Sequence, residues 1–147
     1  MIEFANFAKS YQSSPKVEEA YEAYLKGYRN TGSQKRFLFV GEERSPTAIK
    51  MGVTWKDRRL AAAHLSKATD ALGLKWDKLM FKNVFEDDIE DIKNFKGVVV
   101  AMGRKVEREL TKHGIKHKYI HHPAARGKIR IIENYKAHVK EQLKSVI

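Results

Sequence analysis

Short apolar runs alternate along this chain with longer segments in which apolar residues recur every three or four positions. Four of the runs, bounded by glycine or polar residues, predict buried strands: "KRFLFVG", "KLMFKNVF", "GVVVAMG" and "KHKYIHH". Three of the longer segments predict amphipathic helices: "KDRRLAAAHLSKATDALGL", "RKVERELTKHG" and "KIRIIENYKAHVKEQLKSVI". The acidic run from Glu86 to Asp91 predicts the start of a short helix, and "EERSPTAIKMGVTW" predicts a loop.

The order of these elements predicts the fold class. A first helix, expected after Ser13-Ser14-Pro15 and broken at Asn30, precedes four strands that alternate with helices. Such an order is typical of a parallel sheet covered on both faces, so we expect an α/β protein, a three-layer α/β/α sandwich with a four-stranded parallel sheet. We expect one domain over residues 1–147, with the helical segment 1–30 packed on it.

Ligands of such sheets bind at the carboxyl ends of the strands. The polar residues that follow the predicted strands therefore share one edge, and they are the first candidates for a functional site. The last strand is the most unusual, because "HHPAARGKIR" places two histidines, a proline and three cations in ten residues without an acid.

The charge of the chain favours nucleic acid as a partner. Lys and Arg number 29 against 18 Asp and Glu, which gives a formal net charge of +11. Residues 101–147 hold twelve of the cations and four of the acids. A basic surface binds phosphate through counterion release, although a merely solvated surface gives the same composition.

Other function classes are made less probable by composition. Because the chain has no cysteine, disulfides, iron–sulfur clusters and thiolate zinc sites are excluded, and a reducing cytoplasm is the expected location. No apolar run is long enough to span a membrane, and the first residues lack a signal-peptide pattern. The acidic run Glu86–Asp91 is typical of a solvated helix start, so no metal is expected. We expect a monomer.

Four segments at the predicted strand ends are similar to known motifs. They are "FLFVGEERSP", "FKNVF", "VVVAMGRKVEREL" and "YIHHPAARG", within residues 36–143. In this order they resemble the uracil-DNA glycosylase superfamily. The segments depart from the family pattern in three places: Ala124 stands where the family has a serine after its His-Pro pair, the aliphatic wedge that often follows is not evident, and Arg44-Ser45-Pro46 replaces its proline and aromatic residue.

The resemblance implies a DNA-base N-glycosylase of base-excision DNA repair, which flips uracil or a related damaged or modified pyrimidine from single- or double-stranded DNA and needs no cofactor. In this assignment Glu42 or Glu43 orients the attacking water, and His122 stabilises charge on the departing base. The Asn83 amide matches the Watson–Crick edge of uracil. The candidates for contact with the base are Gly41, Phe39, Asn83, Phe85 and Trp55. The candidates for contact with the DNA backbone are Arg44, Ser45, Arg104, Lys105, Arg126, Lys128 and Arg130.

Structural roles are the alternatives at the same positions. Glu42 and Glu43 are also explained as exposed loop acids paired with Arg44, and Asn83 as a residue that satisfies a turn. His64 is expected to be a core histidine with its hydrogen bonds satisfied. Two other functions stay open: a non-catalytic nucleic-acid-binding relative, and a hydrolase or transferase that acts on free nucleosides.

Overall fold

A computed structural model describes residues 35–147, so the expected helix within residues 1–30 and its packing lie outside the described residues. Elements are numbered from Phe37 onward. The strands are β1 (Phe37–Gly41), β2 (Met80–Asn83), β3 (Val98–Met102) and β4 (Lys118–Ile120). The helices are α1 (Pro46–Met51), α2 (Ala61–Ala71), α3 (Ile89–Lys93), α4 (Arg104–Lys112) and α5 (Ile132–Leu143).

The four strands form one parallel sheet in the order β2-β1-β3-β4. This confirms the predicted α/β class and the four-stranded parallel sheet. Gly41 at the end of β1 is paired with Asn83 at the end of β2, while Met102 of β3 is paired with Ile120 of β4. The residues that follow these positions therefore gather at one edge of the sheet.

Helices pack on both faces of the sheet, because alternate side chains of a strand point to opposite sides. Phe37 and Phe39 of β1 belong to one apolar cluster with residues of α2 and α5. Leu38 and Val40 belong to a second cluster with residues of α3 and α4. The continuous apolar runs of β1 and β3 are explained by this burial on both sides.

The segment after β1 was predicted as a loop, and this prediction was wrong. It contains α1, whose first turn is capped by the Ser45 hydroxyl accepting the Ala48 N–H at 3.1 Å. Pro46 occupies the first helical position, and Gly52 ends the helix with a φ of 69°. The capping residues were present in the sequence, but the helix is short and buries none of its residues.

Two predicted helices begin later than expected. The Ala-rich helix starts at Ala61, because Trp55–Asp57 forms a separate 3₁₀ turn and the residues between them leave helical geometry. The C-terminal helix starts at Ile132, after another 3₁₀ turn at Lys128–Arg130. Each helix within residues 35–147 is too short or too polar to span a bilayer.

Candidate active site at the carboxyl edge of the sheet

A cavity of about 290 Å³ lies at the carboxyl edge of the sheet, and we call it the His122 cavity. Ala48, Val53, Ala62 and the Trp55 indole give it largely apolar walls, while His122 is its one histidine. Its lining comes from residues 43–45, 47–48, 53–55 and 59–62, with His122 and Ala124. Concave apolar sites with a few polar groups are typical of small-ligand pockets.

The two candidate carboxylates occupy different positions at this edge. Glu43 is exposed and lines the His122 cavity. Glu42 is half-buried, lies 4.0 Å from the Lys105 ammonium and is close enough to His122 to affect its titration. Neither is paired with Arg44, whose partner is Glu86, so the predicted pairing with Arg44 was wrong, although Glu43 is an exposed loop acid as that alternative expects.

His122 is held as a neutral ring with a defined tautomer. The Ala124 N–H donates to its Nδ1 at 3.0 Å, which leaves the ring proton on Nε2. Burial lowers the pKa of His122 below its ordinary value, and the Glu42 carboxylate opposes this shift in part. At neutral pH the ring therefore has an Nε2–H donor, and no hydrogen bond from residues 35–147 engages that nitrogen.

Asn83 does not present a free amide. Its Oδ1 accepts the Trp55 indole N–H at 2.9 Å, and its Nδ2 donates to Glu86 at 2.8 Å. It lines a second cavity of about 640 Å³ that includes Trp55 but not His122. The amide that the resemblance assigns to the base edge is therefore already bonded to Trp55 and Glu86, and the Trp55 ring also lies 6.0 Å from the His122 ring.

Glu86 completes this chain of polar contacts. Its carboxylate accepts the backbone N–H of Arg44 at 2.8 Å and the Arg44 side-chain Nε at 3.2 Å. Although partial burial alone raises the pKa of Glu86, the hydrogen bonds from Arg44 and Asn83 lower it overall. Trp55, Asn83, Glu86 and Arg44 thus fix the loop after β1 to the end of β2, and Arg44 is not a free cation.

The three aromatic candidates for contact with the base differ in burial and in their distance from the His122 cavity. Phe39 has no exposed surface and packs between Phe37 and Phe81 in the core, so its ring has no face for a ligand. Phe85 is 45% exposed, lines neither cavity and lies under the Lys105 ammonium at 5.5 Å. Trp55 is the aromatic side chain that the structure places against His122, with 6.0 Å between ring centroids.

Gly41 and Ser45 have local structural roles beside the cavity. A Cβ at Gly41 would lie 2.8 Å from Asn83 Oδ1 and 2.9 Å from Trp55 Cζ2, so only glycine permits this packing. Ser45 caps α1 and lines the cavity.

The remaining predicted phosphate contacts lie outside the His122 cavity. Arg104 is paired with Glu107 and lies 3.9 Å over the Tyr119 ring, while Lys105 is shared between Glu42 and Phe85. Three others are exposed and have no ion pair with residues 35–147: Arg126, Lys128 and Arg130.

Contacts from α5 hold the end of β4 in place. The Tyr135 hydroxyl donates to the His121 carbonyl at 2.9 Å, and the His121 N–H donates to His138 Nε2 at 2.9 Å. The rings of His121 and His138 stack with centroids 4.2 Å apart. These bonds fix the backbone directly before His122.

His64 differs from its prediction. Its Nε2 is buried without a hydrogen-bond partner among the described residues, so it is not a satisfied core histidine. Burial lowers its pKa, with further contributions from Lys67 and Arg130. The ring packs against Tyr135 at 4.9 Å and remains outside the His122 cavity.

Sequence reasoning missed much of the cavity wall, namely Thr47, Ala48, Val53, Thr54, Arg59, Leu60, Ala61 and Ala62. The capping pattern of Ser45, Pro46 and Gly52 would have identified α1, and with it a wall between β1 and α2. The turn at 58–60 carries no such pattern, because its positive φ angles occur at arginine and leucine.

The site combines a carboxylate, a neutral histidine donor and an apolar cavity. Such a set can orient water and stabilise a developing anion. Within residues 35–147 no cluster of three or more His, Cys, Asp or Glu side chains is arranged to hold a metal ion. Comparison with known proteins gives no match to a family model, to a curated protein or to a solved structure.

Proposed function

We propose that this chain is a DNA-base N-glycosylase of the uracil-DNA glycosylase kind, acting on uracil or a related damaged or modified pyrimidine. The observation that carries the proposal is that His122 and Glu43 line one apolar cavity at the carboxyl edge of a parallel sheet, with Glu42 close enough to His122 to act on its charge. The sequence motifs that resemble the superfamily lie at the same edge, on strands in the order β2-β1-β3-β4.

The chemistry of base release needs two kinds of group. As the bond between deoxyribose C1′ and the base breaks, positive charge develops on the sugar and the electron pair passes to the base. A carboxylate of Glu42 or Glu43 stabilises the sugar cation and accepts a proton from the water that bonds to C1′. The Nε2–H of His122 donates to the base oxygen as its negative charge develops.

The cavity suits an extruded planar base. Its apolar walls can contact the faces of the base, and Trp55 offers an aromatic surface beside His122. In this proposal Trp55 forms a wall of the base pocket. Asn83 accepts the hydrogen bond of the indole N–H, and the Asn83 amide in turn donates to Glu86.

The charge of the chain supports a polymeric substrate over a free nucleoside. A nucleoside enzyme has no need of a net charge of +11, whereas DNA binding gains from every phosphate contact. The exposed cations Arg126, Lys128 and Arg130 follow β4, directly after His122.

Abasic-site formation tests the proposal. End-labelled single- and double-stranded oligonucleotides, each with one uracil or one other modified pyrimidine, are incubated with the protein and then treated with alkali. We expect strand cleavage at one class of base, with a loss of at least tenfold in rate for His122→Ala. Glu42→Gln and Glu43→Gln, which keep the size of the side chain, identify the carboxylate that acts.

Two outcomes would replace the proposal. If no base is released but binding is retained and weakens steeply with salt, the chain is a non-catalytic nucleic-acid-binding protein. If free deoxynucleosides are cleaved with a Michaelis constant that salt does not change, the substrate is a nucleoside.

A further inference from the structure

Arg59 is a cation at the His122 cavity that no other described residue engages. Two arginines line this cavity, and the first, Arg44, is bound to Glu86. The side chain of Arg59 is exposed, and no carboxylate of residues 35–147 lies within 4.0 Å of its guanidinium. Within residues 35–147, its charge is therefore available to a ligand.

The turn that carries Arg59 has an unusual backbone. Arg58 has a φ of 56°, and Leu60 has a φ of 59° with a ψ of −130°, angles that L-residues rarely adopt. The side chain of Arg58, the first residue of the turn, is anchored 3.6 Å from Asp77 and 5.6 Å over the Trp76 ring. The turn is thus held against the protein on one side of Arg59, while Arg59 itself remains at the cavity.

We propose that Arg59 binds the phosphodiester group next to the nucleotide whose base occupies the His122 cavity. This inference rests on the proposed function, because a base extruded into a pocket leaves its own phosphates at the pocket rim. The planar guanidinium donates two parallel hydrogen bonds to phosphate oxygens. Ala124 lines the same cavity, but its methyl group cannot donate a hydrogen bond to a phosphate oxygen.

Two substitutions that each remove one arginine charge test this inference. Arg59→Ala is compared with Arg108→Ala, which removes an exposed arginine of α4 that lines neither cavity. The probe is a fluorescent single-stranded oligonucleotide with one 2′-fluoro-2′-deoxyuridine, whose base is released slowly. Its binding is measured by anisotropy over a series of salt concentrations.

The expected result is a change in salt dependence at Arg59 only. Each phosphate contact on a single strand contributes about 0.7 to the slope of log K against log salt, so Arg59→Ala should reduce the slope by about that amount. Arg59→Lys should keep the slope, because it keeps the charge. Arg108→Ala should leave it unchanged.

An uncharged methylphosphonate, placed in turn at the phosphates around the modified nucleotide, identifies the contact. At the contacted position Arg59→Ala should cause no further loss of affinity. Equal effects of Arg59→Ala and Arg108→Ala, or an equal effect of Arg59→Ala at every backbone position, would overturn the inference. Competition by deoxyuridine 5′-monophosphate as strong as that by the oligonucleotide would assign the contact to a free nucleotide instead and overturn it too.

Failure of this inference and failure of the glycosylase proposal are distinguishable. Arg59-dependent binding to one phosphate without release of any base would refute the enzyme and leave the phosphate contact. Base release that Arg59→Ala and Arg108→Ala affect equally would leave the enzyme and refute the contact.

Discussion

His122 is the residue on which the proposed chemistry of the site depends. The bond from the Ala124 N–H to Nδ1 fixes its tautomer, and burial keeps the ring neutral at pH 7. Protonation of Nδ1 would break this hydrogen bond, and burial disfavours the charged ring that would result. The neutral Nε2–H donor is therefore built into the fold before any ligand arrives.

The coupling between Glu42 and His122 gives a first prediction. Since the Glu42 charge raises the pKa of His122 against the effect of burial, Glu42→Gln should lower that pKa further. Glu43→Gln is the matched control and should change it less. An NMR titration of the His122 imidazole measures both, and an unchanged value in Glu42→Gln would show that the two groups are not coupled.

Gly41 gives a second prediction at the scale of single residues. A methyl group there would meet Asn83 Oδ1 and Trp55 Cζ2, so Gly41→Ala should cost about 1–3 kcal/mol of unfolding free energy. Urea denaturation measures this cost. In an Asn83→Ala background the cost should be smaller, because the nearest contact is removed. Equal costs in the two backgrounds would contradict the packing described.

At the scale of elements, the contact between β4 and α5 positions His122. Tyr135 and His138 of α5 bond the carbonyl and the N–H of His121, the residue before it. Burial, with a contribution from His121, lowers the pKa of His138 to about 4. This element contact is therefore sensitive to acid.

The pH dependence of stability tests that contact. The unfolded His138 takes up a proton near pH 6.5, whereas the folded one does so only near pH 4. Between these values the unfolded state binds more protons, so stability should fall as the pH falls from 6.5 towards 4. His138→Gln, whose amide oxygen can still accept the His121 N–H, should reduce this fall. Urea denaturation across this pH range is the measurement, and an identical slope in the variant would exclude His138 as its source.

The helices and strands differ in how far the sequence predicts them. The apolar runs of β1 and β3 identify buried parallel strands, because burial on both faces requires continuous apolar residues. α1 was missed because it is short and buries no residue, so no periodicity marks it. α2 was predicted five residues too early, at Lys56, because nothing in "KDRRL" indicates the positive φ angles of Arg58 and Leu60.

The candidate site was only partly predictable for a related reason. Strand ends are local features, so the sequence leads to Glu42, Glu43, Asn83 and His122. Side-chain pairings between distant segments are not local, and the bonds of Asn83 to Trp55 and of Glu86 to Arg44 are of this kind. These pairings determine which polar side chains remain available to a ligand, and no recognisable sequence pattern predicts the pairings.

At the scale of the whole molecule, charge and fold support one account. Residues 101–147, which hold most of the net charge, also include the strand end with His122 and the three cations after it that form no ion pair in the described part of the chain. Phosphate attraction and base chemistry would then meet at one edge of the sheet. The account requires both, since cations alone give binding and the cavity alone gives a small-molecule site.

Mass spectrometry of a uracil-containing oligonucleotide after incubation with the protein tests the central claim most directly. The account predicts a product that has lost the base and gained a hydroxyl at C1′, together with free uracil. It predicts the same product with Arg108→Ala and little or none with His122→Ala. An oligonucleotide of unchanged mass, for uracil and for every other modified pyrimidine tried, would contradict the assignment of this site to base release.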